Sequence, residues 1–230
     1  MTAELRLVRD AAEGLALESA LFSKTGPGVL VWSPQSRGIV YPAALIRKHG
    51  LEGSTAFQGW PITMRPTGGG PVPQGPGMLN LALAYKVESG ATIEETYADL
   101  AAIFCDALAG LKLDLEIRDI PASFCDGSWN LGISGKKLAG TAQRWKPLPG
   151  GGYRVLAHAL IFVEGNVQAN AEMIADLHRH LGLPPVDPKK HVTLRALKGT
   201  EMPDKAEIAR QLYHASWKRL RIRAPALAAA

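Results

Sequence analysis

The sequence predicts an α+β domain in which a mixed, largely antiparallel sheet is flanked by helices. Two observations support this class. Apolar runs of strand length follow one another across Gly-rich connections, and single helices interrupt them only occasionally. A parallel βαβ fold would instead alternate strands and helices along the whole chain.

The N-terminal part of the chain predicts one long helix, one short helix and four strands. The long helix spans Asp10 to Lys24, with Leu17 and Leu21 four residues apart on one side. The short helix starts at Pro42, whose ring suits a first turn, and runs to about His49. The predicted strands are Val29–Trp32, Gly38–Tyr41, Trp60–Arg65 and Met78–Tyr85.

The clearest helix is predicted from Thr92 to Leu111. Thr92 and Glu95 have the spacing of a capping box, in which each side chain bonds the other residue's backbone N–H. An apolar stripe at helical spacing must face a core. It consists of Ile93, Tyr97, Leu100, Phe104 and Leu108.

After this helix the sequence predicts four strands and two closing helices. Ser134, Gly135 and Lys136 lie between two of the strands, which predicts a β-hairpin. The predicted strands are Lys112–Ile117, Trp129–Ser134, Lys137–Trp145 and Tyr153–Val163, and the predicted helices are Gln168–Leu181 and Lys205–Arg219.

Composition limits the class of protein. The 230 residues are 47% apolar and 20% charged, which predicts one domain over 1–230 with a substantial core. No signal peptide opens the sequence and no apolar run reaches the roughly 18 to 20 residues that span a bilayer, so we expect a cytoplasmic protein without membrane contact. Two cysteines without companions predict neither a disulfide framework nor a metal site.

The net charge of +5 leaves the class of partner open, since nucleic acid, an anionic membrane and an acidic protein all suit a basic surface. The densest basic cluster is at the end of the last predicted helix, where cations offset exposed carbonyl groups. A docking patch is the alternative interpretation. The cluster consists of Lys218, Arg219, Arg221 and Arg223.

The first segment that indicates chemistry is RPTGGGPVPQGPGMLN, from Arg65 to Asn80. Its three successive glycines expose the backbone N–H groups to a ligand, and Arg65 adds a positive charge. Taken alone, a glycine triplet also fits a plain mobile loop. The Gly-Lys-Ser/Thr that would complete a P-loop is absent.

The second segment is SFCDGSWNLGISGKKLAGTAQRW, from Ser123 to Trp145. A loop cysteine such as Cys125 can accept an acyl group if a nearby cation lowers its pKa. Lys137 is the candidate cation and Lys136 its rival, because neighbouring residues of a strand face opposite sides. The small residues Gly140 and Ala142 would leave room for a narrow apolar ligand.

Distance sets a condition on this pairing. If residues 125–133 were extended, Cys125 would lie roughly 27 Å from the hairpin turn. A shared site therefore requires the chain to double back near Asp126 to Ser128, which Gly127 permits.

Three further residues have structural interpretations beside functional ones. Cys105, next to Phe104 in the long helix, is expected to pack as a small hydrophobe. His158 is flanked by apolar residues, which favours a core histidine over a pocket residue. Asp126 either orients a group near Cys125 or caps the loop, and the loop cap is favoured.

Together the two segments resemble the lipoate-protein ligase and octanoyltransferase superfamily, which implies the fold of a biotin/lipoate ligase catalytic domain. The resemblance implies an acyl-binding role for Arg65, Thr67, Gly68, Gly69, Gly70 and Asn80. The family hairpin matches Gly135 to Arg144, including Gly140, Thr141 and Ala142, and assigns the essential lysine to Lys137. His158 matches a family His-Gly pair, although Ala159 replaces the glycine.

Within the superfamily, the Ser-Phe-Cys-x-Gly-Ser spelling from Ser123 is similar to octanoyl amidotransferases that carry an acyl thioester on cysteine. The implied function is transfer of an octanoyl or lipoyl group through Cys125, helped by Lys137, to a lysine of a lipoyl carrier domain. The glycine cleavage H protein and the E2 subunits of 2-oxoacid dehydrogenases are the expected partners.

Two rival functions remain. An ATP-dependent lipoate-protein ligase would use ATP and Mg²⁺ to form a lipoyl adenylate, but its usual C-terminal accessory domain is not expected here. A catalytically silent lipoyl-binding or carrier-binding protein is the second rival. It is suggested by Val72, Pro73 and Gln74, which replace the Tyr-His-Asp element of many relatives. Biotin ligase fits less well, because the arginine-rich glycine loop expected of it is absent.

Overall fold

The computed structural model describes residues 5–50 and 53–223. The strands are β1 (Arg6–Val8), β2 (Gly28–Pro34), β3 (Gly38–Pro42), β4 (Ala56–Phe57), β5 (Trp60–Arg65), β6 (Val72–Gln74), β7 (Met78–Val87), β8 (Glu116–Arg118), β9 (Asn130–Ile133), β10 (Lys136–Pro147) and β11 (Tyr153–Phe162). The helices are α1 (Ala11–Ser23), α2 (Ala43–Lys48), α3 (Ile93–Leu108), α4 (Val167–His180), α5 (Leu194–Lys198) and α6 (Lys205–Arg223). Short 3-10 turns occupy Ala109–Leu111, Pro188–Lys190 and Gly199–Glu201.

The strands form two sheets. The large sheet has the order β1-β2-β7-β11-β10-β9-β8, and the small sheet has the order β4-β5-β3-β6. Neighbouring strands are antiparallel except for β1 with β2 and β3 with β5, which are parallel. The predicted α+β class with a mixed, largely antiparallel sheet is therefore confirmed.

The large sheet is buried on both faces, and β7 shows how. Leu79, Leu81 and Leu83 point to one face, where they join the core formed with α3 and α6. Met78 points to the other face and joins a second core, formed with the small sheet and α4. This alternation follows from the two-residue period of a strand. The functional residues described below lie on the second face.

Helix α3 is anchored at its start and along its length. The predicted capping box is present, since Thr92 Oγ1 accepts from Glu95 N and Glu95 Oε2 accepts from Thr92 N. The buried carboxylate of Asp99 accepts from Arg219 Nε at 2.6 Å and from Arg223 Nε at 2.8 Å. The basic cluster of α6 therefore pairs largely with α3. This outcome differs from the predicted role of offsetting α6's own carbonyl groups.

Helix α1 is fixed to the sheet by a strand arginine. Arg154 on β11 is buried and donates to Leu21 O at 3.1 Å, Phe22 O at 3.2 Å and Thr25 O at 3.3 Å. Carbonyls at the C-terminal end of a helix mostly lack intrahelical donors. Leu21 O also accepts from Lys24 N at 3.3 Å, and the guanidinium adds a donor to all three carbonyls and complements the helix dipole. These hydrogen bonds fix the orientation of α1 against the second face of the sheet.

Several expectations differ from the structure. Cys105 is exposed, so its predicted packing in the core is wrong; the neighbours Ile103 and Phe104 take the buried side of α3. The strand predicted at Lys112–Ile117 is limited to β8. Strands β1, β4 and β6 and helix α5 were not predicted. Among the described residues, the helices include none with the length and apolar character of a transmembrane span.

Candidate active site

The loop that carries Cys125 folds back on itself around Asp126. Asp126 Oδ1 accepts from Ile120 N at 2.8 Å, Gly127 N at 2.8 Å and Asn130 Nδ2 at 3.1 Å. Cys125 itself has a φ of 48°, a left-handed conformation that few non-glycine residues adopt. The chain therefore doubles back where the sequence required it, and Asp126 is the cap of that loop.

Lys137 reaches this loop from β10. Its side chain is fully buried, and Nζ donates to Phe124 O and to Cys125 O, each at 2.8 Å. The ammonium also lies 5.4 Å from the centre of the Phe124 ring. Lys136 is exposed. The prediction that Lys137, and not Lys136, enters the pocket is confirmed.

A β-bulge in β10 brings Lys137 and Gly140 to one side of the strand. The register with β9 advances from Lys137 opposite Gly132 to Ala139 opposite Leu131, so Leu138 is the additional residue. In a regular strand, positions 137 and 140 would face opposite sheet faces. A Cβ on Gly140 would lie only 3.0 Å from Lys137 Cε. Gly140 thus makes room for the lysine as well as for a ligand.

The thiol of Cys125 is surrounded by donors and cations. Gly70 N donates to Sγ at 3.1 Å, and Arg65 Nη2 lies 3.8 Å from Sγ. Burial opposes ionisation, but the charges of Lys137 and Arg65 and the Gly70 N–H outweigh it, so the pKa of Cys125 is below its ordinary value. Burial lowers the pKa of Lys137 to about 8. The lowered pKa of Cys125 increases the fraction of thiolate at neutral pH, and the Lys137 ammonium stabilises that charge.

The glycine triplet packs against the cysteine. Gly69 has a φ of 94°, and a Cβ there would lie 2.7 Å from Cys125 Sγ. A Cβ on Gly70 would lie 3.2 Å from Cys125 Cα. Arg65 holds this turn by donating to Gly68 O and Gly70 O, each at 2.9 Å. Gly69 and Gly70 are therefore required for the close contact with Cys125.

Beneath the thiol is a mostly buried cavity, hereafter the inner cavity. Its volume is about 50 Å³, so the cavity is narrow. Its walls are apolar side chains from α1, β3, β6 and β11 together with most of the predicted site residues. Those are Arg65, Asn80, Cys125, Lys137, Gly140, Thr141, Ala142 and His158.

Thr67 and the three glycines lie outside the inner cavity. Thr67 is buried and lines a small recess beside it, shared with Arg65 and His158. Gly68 and Gly69 line a different cavity on the outer side of Cys125. Thr67 therefore lies beside the inner cavity, and Gly68 and Gly69 lie on the outer side of Cys125.

Polar groups that the sequence analysis missed also face the inner cavity. Glu18 is buried, accepts from Trp32 Nε1 at 3.0 Å and pairs with His158 Nδ1 at 2.9 Å. Gln74 and Asn80 exchange two amide hydrogen bonds of 2.9 and 3.0 Å. Glu18 falls four residues after Gly14 on the buried side of α1. A carboxylate on the otherwise apolar side of a predicted helix was the sequence feature that could have identified Glu18 as a site residue.

His158 therefore faces the cavity and does not lie in the packed core. It shares a sheet face with Leu160 and Phe162, whereas Ala157 and Ala159 belong to the core with α3 and α6. The favoured interpretation of a core histidine is wrong for this reason. Among the described residues, the His, Cys, Asp and Glu side chains do not gather into a set that would hold a metal ion.

Comparison with known proteins decides the family. The family model described as the lipoyl protein ligase A/B catalytic domain matches residues 10–203. The chain belongs to this family. The matched range includes every residue of the inner cavity and the Cys125 loop.

Individual relatives agree with the family. An uncharacterised protein of Cupriavidus necator is 41% identical over 164 residues, covering 62% of this chain and 65% of that protein. An octanoyl-GcvH:protein N-octanoyltransferase of Kyrpidia tusciae is 32% identical over 156 residues, covering 65% of this chain and 54% of that enzyme. The matched part of this chain thus spans between half and two thirds of these relatives' length.

Solved structures show the same fold at low sequence identity. A lipoate-protein ligase A bound with ATP superposes with a TM-score of 0.66 at 16% identity, covering 95% of this chain and 86% of that chain. A putative lipoate protein ligase of T. acidophilum with bound lipoic acid gives a TM-score of 0.64 at 17% identity, covering 96% and 87%. The two-sheet arrangement is therefore that of the lipoyl protein ligase A/B fold.

In this lipoyl protein ligase A/B domain, a second cavity lies on the solvent side of Cys125, hereafter the outer cavity. It shares Cys125, Thr141 and Ala142 with the inner cavity. Tyr97 and Trp129 form one wall, with stacked rings whose centroids are 5.6 Å apart. The remaining walls are Gly68, Gly69, Asp126, Gly127, Ser128, Asn130 and Gln143.

His191 is a buried residue that holds the Cys125 loop from behind. Its Nε2 accepts from Phe124 N at 3.2 Å, its ring stacks on Phe124 at 4.2 Å, and its Nδ1 lies 3.2 Å from Pro188 O. Burial, together with the charge of Lys137, lowers the pKa of His191 to about 4. The ring is therefore neutral at pH 7. Its sequence context, Lys190 and Val192, gave no motif that would have identified it.

Proposed function

We propose that this chain transfers an octanoyl or lipoyl group to the lysine of a lipoyl carrier domain through a thioester on Cys125. One observation carries the proposal. An acidic thiol lies at the junction of an apolar inner cavity and an open outer cavity, with Gly70 N–H, Arg65 and Lys137 grouped around it.

The first step loads the enzyme. The Cys125 thiolate attacks the acyl carbonyl of an octanoyl-lysine amide on a donor carrier, a carbon–sulfur bond forms and the carbon–nitrogen bond breaks. The leaving lysine nitrogen takes one proton. Lys137 is the nearest proton source, because its pKa of about 8 keeps it protonated yet acidic enough to donate. Gly70 N–H and Arg65 are placed to stabilise negative charge as it shifts between sulfur and oxygen.

The second step reverses the first on a different lysine. The neutral amine of the acceptor attacks the thioester carbon, the carbon–sulfur bond breaks, and the amine's proton returns to the Lys137 site. The inner cavity holds the acyl chain throughout, which excludes water from the thioester. The first step converts the amide of one lysine into the Cys125 thioester, and the second converts that thioester into the amide of another lysine. The net reaction exchanges one amide for an equivalent amide, so the chemistry requires no ATP.

Relatives support the choice of donor and acceptor. The Kyrpidia protein and a Geobacillus kaustophilus protein, 28% identical over 210 residues and covering 84% of this chain, are both named octanoyl-GcvH:protein N-octanoyltransferases. A Listeria monocytogenes relative, 30% identical over 122 residues, is named as a lipoyl-GcvH:protein N-lipoyltransferase. We infer that the glycine cleavage H protein is the donor and that E2 lipoyl domains are acceptors. The net charge of +5 on this chain would attract an acidic carrier domain. We place the reaction in the cytoplasm.

Intact-protein mass spectrometry tests the proposal. The full chain is incubated with octanoylated H protein without ATP, and we expect an adduct of one octanoyl group that is lost on adding an unmodified E2 lipoyl domain. Cys125→Ser should form no thioester and lose transfer. Cys105→Ser is the matched control, because this second cysteine is exposed and remote from both cavities, and it should behave as the parent.

Other outcomes identify the rival functions. Full activity of Cys125→Ser that depends on ATP and free lipoate would establish a ligase that forms an adenylate. Neither adduct nor product from the parent, with or without ATP, would establish a silent binding protein.

A further inference from the structure

We propose that the outer cavity is the channel by which a carrier lysine reaches Cys125, and that the stacked pair Tyr97 and Trp129 is its binding wall. This inference rests on the proposed function, because it assumes that an acyl group is exchanged at Cys125. It assigns a binding role to the two aromatic residues, of which Tyr97 also packs against the core formed with α3 and α6.

The two cavities divide the substrate into two parts. Buried side chains surround the inner cavity, whereas Gly68, Gly69 and the stretch from Asp126 to Ser128 are exposed around the outer one. An acyl-lysine consists of an acyl tail and a lysine side chain attached to a folded protein. The octanoyl or lipoyl tail is apolar and suits the apolar, mostly buried walls of the inner cavity, so the lysine approaches past the exposed residues of the outer cavity, and both parts meet at Cys125.

The aromatic pair offers a flat apolar surface at that entrance. The rings of Tyr97 and Trp129 are nearly parallel, with an angle of 11° between them, and both side chains are half-buried. Two half-exposed aromatic residues beside a reactive thiol provide the surface on which the four methylene groups of lysine pack.

Hydrogen bonds hold this wall in place before a ligand arrives. Thr141 Oγ1 donates to Trp129 O at 2.8 Å, which ties the loop to β10. Gln143, also on β10, donates to Ile93 O at 3.0 Å and accepts from Trp145 Nε1 at 2.6 Å, which ties the strand to the first turn of α3. A rigid wall lowers the entropy cost of ordering a flexible lysine.

Charge and desolvation act in sequence along the channel. Asp126 is exposed at the rim, where its carboxylate attracts a lysine ammonium. Deeper in, contact with the two rings removes water from the ammonium, and desolvation lowers the pKa of an amine. The attacking group must be the neutral amine, so the aromatic wall favours the reactive form close to the thioester.

The experiment separates loading from discharge. Cys125 is loaded with the thioester octanoyl-N-acetylcysteamine, which has no lysine arm, and the adduct is followed by intact mass spectrometry. The loaded enzyme is then given either an unmodified E2 lipoyl domain or hydroxylamine. We expect Tyr97→Ala and Trp129→Ala to lower kcat/KM for the lipoyl domain about tenfold more than they lower loading or discharge to hydroxylamine.

Further variants distinguish recognition from folding. Tyr97→Phe and Trp129→Phe keep a ring and should restore most of the discharge to the lipoyl domain. Trp129→Lys places a cation at an exposed edge of the channel and should slow that discharge more than Trp129→Ala. Trp60→Ala, at a partly exposed tryptophan outside both cavities, is the matched control and should match the parent.

Opposite results are clearly recognisable. If the alanine variants and Trp129→Lys discharge to the lipoyl domain and to hydroxylamine in the parent's ratio, the channel is elsewhere and the inference is wrong. Failure of the parent itself to form any adduct on Cys125 would instead reject the proposed function, whatever the aromatic variants do.

Discussion

The acidity of Cys125 results from its neighbours at the scale of single residues. Burial alone would raise the pKa of the thiol, so its lowering is the net effect of Lys137, Arg65 and the Gly70 N–H. Replacing Lys137 by methionine keeps the length of the side chain and removes the charge. The thiol pKa should then rise, because the burial remains while the main cation is lost.

The rate of alkylation by iodoacetamide as a function of pH measures this pKa, since only the thiolate reacts quickly. In the parent, the pH of half-maximal reactivity of Cys125 should lie below the ordinary thiol pKa, and in Lys137→Met it should lie at a higher pH than in the parent. Lys136→Met is the control, because that side chain points to solvent and should leave the profile unchanged. If Lys137→Met and Lys136→Met show the same pH dependence of alkylation, the role assigned to Lys137 is refuted.

The glycine triplet allows a second test on single residues. Gly69→Ala should reduce acyl-enzyme formation by about tenfold or more, because its Cβ would meet Cys125 Sγ at 2.7 Å and its φ of 94° is strained for alanine. Gly68→Ala is the matched control. A Cβ there meets nothing within 4 Å. We expect Gly68→Ala to load octanoyl groups at the parent rate in the mass assay, and equal loss in both variants would show that the loop, not the contact, matters.

Sequence reasoning identified part of this residue constellation. Cys125 and Lys137 were chosen on residue type, and strand alternation with the hairpin motif distinguished Lys137 from Lys136. It did not reveal Glu18 or His191, because each is a lone polar residue whose partners are distant in sequence: Glu18 binds Trp32 and His158, and His191 binds Phe124. Such contacts depend on the tertiary fold.

Among the secondary-structure elements, α1 depends on β11 through Arg154. Replacing Arg154 by methionine keeps much of the buried volume but leaves the carbonyls of Leu21, Phe22 and Thr25 without their donor. We expect a loss of about 2 kcal/mol in the free energy of unfolding, since hydrogen bonds to charged groups contribute about 1.5–3 kcal/mol. Urea denaturation measures this difference.

Arg118→Met is the control for this change, because Arg118 lies on the short edge strand β8 and its ion pair with Glu116 is largely exposed. It should change stability by less than about 0.5 kcal/mol. A comparable, small loss in both variants would mean that α1 is held by apolar packing and that Arg154 is dispensable.

The elements that the sequence predicted are those with long apolar periodicity. Helices α1, α3, α4 and α6 and the long strands β7, β10 and β11 all lie within a few residues of their predicted limits. The missed strands are short, two or three residues each, and β6 (Val72–Gln74) includes a proline in a glycine-rich segment. Their pairing is decided by the neighbouring strand, β3 in the case of β6, and local sequence carries little of that information.

At the scale of the whole molecule, the site joins segments that are far apart in the chain. Glu18 comes from α1, Arg65 from β5, Cys125 from a loop and His158 from β11. In the strand order β2-β7-β11-β10, strand β11 is next to β10, so His158 lies close to the cysteine loop that Lys137 of β10 contacts. The sequence predicted that such a sheet exists, and the resemblance implied which residues meet, but strand order across two sheets is a long-range property that periodicity does not encode.

The C-terminal third of the chain is bound to the site through His191, which makes the stability of the fold depend on pH. Val192 N donates to Lys137 O at 3.0 Å and Gln168 Nε2 to His191 O at 3.2 Å, so the segment after α4 lies against β10. The imidazole between them is buried and neutral. Protonating it would remove the lone pair that accepts from Phe124 N and would place a second cation beside Lys137.

The sign of the effect follows from the pKa values. The pKa of His191 is about 4 in the folded chain and about 6.5 when exposed, so between these values the unfolded chain binds the additional proton. Stability contributed by the neutral ring is therefore complete above about pH 6.5 and is lost as the pH falls to about 4, by roughly 3 kcal/mol in total.

Urea denaturation of the parent at a series of pH values measures this loss. His191→Gln, whose amide can accept from Phe124 N but does not titrate, should lose correspondingly less stability over that interval. His214→Gln, at an exposed position on α6, should keep the parent's dependence, and a parental slope in His191→Gln would show that other groups cause the acid sensitivity.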